Sequence, residues 1–224
     1  MTRASRNLAA VGAALILLLS LSAAAAAQVP KWDAGWGPNY MTFAPFVEAD
    51  SDVIARDLGL DSGVGVHLHS THWLGARRWF GLRLSGFHAS RPLELPTSSR
   101  QVGIWGFHGS TMIRPFVGPR LPVVPFLAAG AGWTWFHFGD GPTVRLADSQ
   151  VVYSDQHQRQ FNMVAGGGID IYPGLRRFEG TEWGLRLEVA DLIMLERPFE
   201  PLQGTNDELS HNLVFSLSFQ AAVR

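Results

Sequence analysis

The chain contains no cysteine, so neither a disulfide nor a lipid anchored through cysteine is available to it. Beyond residue 28 no apolar run approaches the roughly 20 residues of a membrane-spanning helix, which excludes helical spans from the rest of the chain. A basic excess is missing too. The formal charge is −1, and setting aside Arg3 and Arg6, the only charges in residues 1–27, makes it −3. Nucleic acid is therefore not an expected partner, because nothing neutralises its phosphates. No helical periodicity persists after Gln28, and 24 glycines with 13 prolines speak against long helices.

What the chain does have is apolar bulk. It is 46% hydrophobic and carries 25 aromatic residues (8 Trp, 3 Tyr and 14 Phe), which need an apolar receiver. It opens with Arg3 and Arg6, an apolar run from Leu8 to Leu21, and "SAAAAAQ" from Ser22 to Gln28. That is the layout of a cleaved secretory signal. Residues 1–27 are expected to be that signal, residues 28–37 a short periplasmic lead-in, and residues 38–224 the folded domain.

From there, segments of about ten residues with a period of two recur between turn residues, which reads as all-β. Eight are expected, near residues 38–48, 62–72, 79–89, 101–114, 123–137, 159–172, 183–193 and 210–222, the first interrupted by Pro45. Their connections alternate. Residues 49–61, 90–100, 138–158 and 194–209 form long, polar links, whereas 73–78, 115–122 and 173–182 form shorter ones. An even number of such strands, with long loops at one end and short turns at the other, matches a transmembrane β-barrel.

The two faces of each segment decide which side is out. Val64, Val66 and Leu68 oppose Gly65, His67 and His69, while Phe80, Leu82 and Leu84 oppose Gly81, Arg83 and Ser85. Leu185, Leu187 and Val189 oppose Gly184, Arg186, Glu188 and Ala190, and Leu213, Phe215, Leu217 and Phe219 oppose Asn212, Ser216, Ser218 and Gln220. An eight-stranded barrel has room inside only for side chains, so the face with the glycines suits the interior and the bulky apolar face suits lipid. A soluble lipocalin-like barrel, the alternative, needs the reverse. On this reading His67, His69, Arg83, His108, Asp170, Arg186 and Glu188 line a polar lumen, with Arg186 and Glu188 pairing residues such as Asp170 and Arg83 on other strands. The strand-end aromatics Trp32, Trp36, Tyr40, Trp73, Trp79, Trp133, Trp135, Phe138 and Trp183 are expected to supply interfacial girdles.

The phrases "PVVPFLAAGAGWTWF", "FNMVAGGGIDIY", "WGLRLEVADLI" and "HNLVFSLSF" resemble the strands of small bacterial outer-membrane β-barrels of the OmpA/OmpX-like type, over roughly residues 36–222. The resemblance implies an eight-stranded antiparallel up-and-down transmembrane barrel in the outer membrane. Its partners would be outer-membrane lipids, lipopolysaccharide and the outer-membrane assembly machinery, and the chain would be a monomer. Such proteins usually end on an aromatic residue; here Phe219 is the last aromatic and the chain ends Ala-Ala-Val-Arg.

Two patterns invite chemistry. His67-x-His69 puts two imidazoles on one strand face, with His108 as a conceivable third metal ligand, but spacing of this kind is common in a polar lumen and no metal is expected. His108-Gly109-Ser110 resembles the His-x-Ser of outer-membrane lipid A deacylases, yet no Glu follows nearby and the next acid is Asp140. No catalytic residue and no cofactor are expected, and a lipid-modifying hydrolase is the lesser alternative to a structural or surface-interaction barrel without an open pore. The loop acids Asp50, Asp52, Asp57 and Asp61 lack the ordered pattern of a calcium loop.

Overall fold

The structure, a computed structural model, describes residues 30–43, 60–75, 78–95, 98–116, 123–138, 143–145, 151–153, 157–172, 180–195 and 209–223. The expected signal of residues 1–27, Pro45 and the loop acids Asp50, Asp52 and Asp57 lie outside these. The strands are β1 (Trp32–Met41), β2 (Gly63–Leu74), β3 (Phe80–Leu95), β4 (Ser98–Ile113), β5 (Val123–His137), β6 (Thr143–Arg145), β7 (Val151–Tyr153), β8 (His157–Ile171), β9 (Thr181–Met194) and β10 (Ser210–Val223). Eight of them close into one barrel in the order β1-β10-β9-β8-β5-β4-β3-β2, every neighbour antiparallel, while β6 and β7 pair only with each other. This is the expected eight-stranded up-and-down transmembrane barrel.

Register sets its dimensions. Stepping across paired residues from Gln220 through Gly35, His69, Ser85, His108, Gly132, Asn162 and Met194 returns to β10 at Ser210, ten residues from the start. A stagger of ten residues at about 3.3 Å over eight strands about 4.8 Å apart gives a strand tilt of roughly 40°. Each of these steps lands on an inward-facing position, so one side of the alternation stays inside all the way round.

The outer wall is apolar. Trp36 (69% exposed), Leu68 (62%), Leu127, Leu187, Val189 and Phe215 face outward, while the alternating inward positions are buried. Trp32, Trp79 and Trp183 are exposed at the short-turn end, and Tyr40, Trp105, Trp133, Trp135 and Phe161 toward the long-loop end. Along β4, Trp105 lies nine residues from Arg114, whose N–H bonds the Trp79 carbonyl. At about 2.5 Å of axial rise per tilted residue the two belts are roughly 23 Å apart, close to the height of the apolar band of a membrane barrel.

Several expectations need correction. The first strand is Trp32–Met41 and not 38–48, so residues 32–37 belong to the barrel and not to a lead-in. Within it the ladder to β10 passes from Trp36↔Phe219 to Asn39↔Ser216, skipping Gly37 and Pro38, and the strand continues. The expected loop at 90–100 is largely strand, since β3 and β4 stay paired out to Leu95↔Ser98, and the connection at 138–158 holds the β6–β7 hairpin. Trp73 (2% exposed) and Phe138 (1%) are buried and join no girdle.

The polar lumen is also incomplete. Toward the long-loop end the inward positions beyond His108 on β4, Thr134 on β5, Glu188 on β9 and Asn39 on β1 include Ile104, Val102, Phe136, Leu192, Met194 and Met41, which form an apolar core. Strands of up to 16 residues exceed the 9–11 that cross a bilayer, and the surplus builds this upper core.

A charge on the outer wall tests the orientation. Val189→Arg, near the middle of the apolar band, should lower folding free energy in liposomes by about 2–4 kcal/mol, against about 0–1 for Thr181→Arg at the end of β9, read from reversible refolding by tryptophan fluorescence.

Candidate functional site

The site is the charged interior. At the short-turn end, Asp170 on β8 stands opposite Arg186 on β9 in register. Arg186 grips it as a fork, Nε donating to Oδ1 at 2.6 Å and Nη2 to Oδ2 at 3.1 Å. Arg114, just past β4, donates from Nη2 to the same Oδ2 at 2.6 Å and to the Tyr172 hydroxyl at 3.3 Å. Asp33 completes the group. Arg186 Nη2 donates to its Oδ1 at 3.3 Å, Trp73 Nε1 donates to its Oδ2 at 2.6 Å, and Arg114 Nη2 lies 3.7 Å from that oxygen.

All four charged side chains are fully buried. Two arginines against two aspartates make the cluster neutral, which is the condition for keeping charge inside at tolerable cost. Rings cover what the carboxylates do not: Arg114 lies 3.5 Å from the Trp73 ring centre and Arg186 4.9 Å from that of Phe126. Gly81 makes room for this, since a Cβ there would come within 2.8 Å of the Trp73 ring. The result is a stopper made of Asp33, Arg114, Asp170, Arg186, Trp73 and Tyr172.

Above the stopper a second pair crosses the bore. Arg83 on β3 and Glu188 on β9 are four strands apart in either direction round the sheet, and Nη1 donates to Oε2 at 2.7 Å. Arg83 Nε also donates to Ser110 Oγ at 3.1 Å. Next comes a neutral chain: His108 Nε2 lies 2.7 Å from Asn162 Oδ1, so that nitrogen carries the proton and donates, and Asn162 Nδ2 donates to Thr134 Oγ1 at 2.8 Å. A cavity of about 50 Å³ lies between the polar side chains of Asn39, His67, Arg83, His108, Glu188 and Ser216 and the apolar ones of Phe87, Val164, Leu192 and Val214, roomy enough for water beside its polar wall. Asn39 is 2% exposed, and neither atom of its amide has a protein partner.

Of the residues singled out in the sequence, Asp170 and Arg186 lie in the stopper and Arg83 and Glu188 in the strut. His67 and His69 stack at 5.4 Å inside the barrel, with His69 Nε2 3.7 Å from Asp33 Oδ1. They do not converge with His108, which is bonded to Asn162, and no three metal-ligating side chains gather among the described residues. Ser110 is held by Arg83 and not by His108, so the His-x-Ser pattern forms no nucleophile–base contact. Sequence reasoning missed Asp33, Arg114, Tyr172 and Trp73 as members of this site. Asp33 falls in the expected lead-in and Arg114 at the end of an expected segment, and because Arg83 and Arg186 already balance Asp170 and Glu188, counting charges gives no signal for either.

An eight-stranded barrel with a lipid-facing wall and a stoppered, charge-neutral interior is the class these features define. No known protein family matches the sequence, and no curated protein matches it. Among solved structures the chain is similar to neisserial surface protein A (9% identity, 86% of this chain and 96% of the other, TM-score 0.46). It is also similar to the attachment invasion locus protein Ail of Yersinia pestis in complex with the heparin analogue sucrose octasulfate (9%, 86% and 99%, TM-score 0.45) and to OprG of Pseudomonas aeruginosa (10%, 88% and 94%, TM-score 0.46).

Removing one end of the strut leaves the other charge stranded. Arg83→Met should destabilise the barrel by about 3–5 kcal/mol, and the double substitution Arg83→Met with Glu188→Leu should regain most of that, measured by denaturant refolding of both variants in the same micelles.

Proposed function

We propose that this chain is an integral outer-membrane barrel of a Gram-negative-type bacterium, with both barrel ends of the chain on the periplasmic side. Its role is structural or surface-interacting, and it is neither an open pore nor an enzyme. The observation that carries this reading is the interior: the bore is crossed by Arg83–Glu188 and closed below by the Asp33–Arg114–Asp170–Arg186 cluster, all of them buried. Water-filled channels need more strands than eight. The outer wall offers lipid acyl chains a continuous apolar surface, so outer-membrane lipids and lipopolysaccharide are its immediate surroundings, and insertion calls on the outer-membrane assembly machinery. With no motif-bearing site inside, contact with other molecules falls to the long connections on the outer side, where a rigid barrel would display them.

The hydrolase alternative is disfavoured by the placement of His108 and Ser110 inside the wall, out of reach of lipid. A soluble ligand-binding barrel is disfavoured because its outer face would expose Trp36, Leu68, Leu127 and Phe215 to water.

Three measurements test the proposal. The folded chain should partition with outer-membrane fractions and migrate faster unboiled than boiled. In planar bilayers it should give no stable conductance steps, and Asp33→Ala with Arg186→Ala should give none either, because Arg83–Glu188 and the apolar upper core still fill the bore. Recovery as a soluble periplasmic protein, or steady conductance of the unaltered chain, would overturn it.

A further inference from the structure

Of the eight histidines, two form a pair unlike the rest. His137, the last residue of β5, and His157, the first of β8, are register partners that face outward at the long-loop rim. Their rings stack at 4.5 Å with 18° between planes, and Nδ1 stands 2.9 Å from Nδ1. Both are exposed. Of the other described histidines, His67 and His69 stack on each other inside the barrel, His88 meets the Ile104 carbonyl and the Trp105 ring, His108 bonds Asn162, and His211 bonds Asp191.

We infer that His137 and His157 form a two-imidazole chelating site for a divalent transition-metal ion of the Cu²⁺ or Ni²⁺ type. Two nitrogens this close hold one proton between them, one Nδ1–H donating to the other Nδ1. A metal ion takes the place of that proton. The donor ring shifts its hydrogen to Nε2 through solvent, so both Nδ1 lone pairs become free and no net proton is lost.

The donor type selects among metals. Imidazole nitrogens suit Cu, Ni and Zn, and of the divalent first-row ions Cu²⁺ binds such donors most tightly. With metal–nitrogen bonds of about 2.05 Å, two nitrogens about 3 Å apart can share one ion. Small ring rotations turn the stacked lone pairs onto a common point, and exposure at the rim lets water fill the remaining positions. Such an open site captures metal from the medium and adds nothing to folding, unlike a closed structural site. It lies outside the charged interior and is independent of the role proposed above.

The test uses the untagged full chain folded in detergent micelles at neutral pH, titrated calorimetrically with Cu²⁺, Ni²⁺ and Zn²⁺ alone and followed for Cu²⁺ by electron paramagnetic resonance. One equivalent of Cu²⁺ should bind with a nitrogen signature from two imidazoles, and more tightly than Ni²⁺ or Zn²⁺. His137→Ala and His157→Ala should each weaken Cu²⁺ binding by at least about tenfold, no less than the loss of an outer-shell partner does. His88→Ala should leave it unchanged. The unboiled-gel shift reports that each variant is folded, and His137→Gln, which keeps the bulk, stands in if His137→Ala is not. Unchanged Cu²⁺ binding in the folded double variant H137A/H157A would overturn the site, as would loss of the signal in H67A/H69A instead.

Discussion

Everything in this molecule depends on the closure of one sheet by the pairing of β1 with β10. In hydrocarbon an unpaired backbone amide costs several kcal/mol, so an open edge on either strand has no place in a bilayer. The join is made even though Pro38 cannot donate: the ladder lapses at Gly37 and Pro38 and resumes at Asn39↔Ser216. Once the edges meet, inside and outside are defined for every strand, and a ten-residue stagger keeps the same side of each alternation facing in all the way round.

Closure then forces the interior to solve an electrostatic problem. Eight charged residues are buried among the described ones, four of each sign, and six of them form two groups, Asp33, Asp170 and Glu188 against Arg83, Arg114 and Arg186. An unpaired member would carry the desolvation penalty of a buried ion. Neutrality is achieved across the bore and not along one strand, so each pair also ties distant strands together. The large side chains need space in a narrow tube, and glycines on neighbouring strands provide it; a Cβ at Gly132 would press on the His108 ring, just as one at Gly81 would press on Trp73. Polar grip and small-residue packing are thus two aspects of one confined volume.

Legibility in the sequence followed the strength of the local signal. Expected and observed bounds of β5 coincide because the apolar run "VVPFLAAGAGWTWFH" is flanked in the sequence by Pro122 and by Gly139-Asp140, and the facing of Arg83, His108, Asp170, Arg186 and Glu188 follows from the alternation of their own strands. β1 starts at Trp32 and not at residue 38, and brings Asp33 inward, because Trp32, Ala34, Trp36 and Tyr40 alternate with Asp33, Gly35, Gly37 and Asn39, a pattern whose small inward residues leave it faint in the sequence. Trp73 and Phe138 were assigned to the girdles because an aromatic at a strand end carries no mark of which face it occupies until the register is known. The apolar upper core escaped notice for a related reason: Ile104 and Phe136 look like wall residues until their parity with His108 and Thr134 is followed.

The sequence by itself determined the strand content, the even count and the assignment of one face to lipid, because period-two patterning is local and a small barrel admits only small or self-satisfying groups inside. Tertiary structure alone decided the partners. Arg83 meets Glu188 from the opposite wall, Asp33 joins two arginines from β9 and the end of β4, and His137 meets His157 across an intervening loop. These contacts depend on stagger and tilt, which arise only when eight strands close on one another and no single segment encodes them.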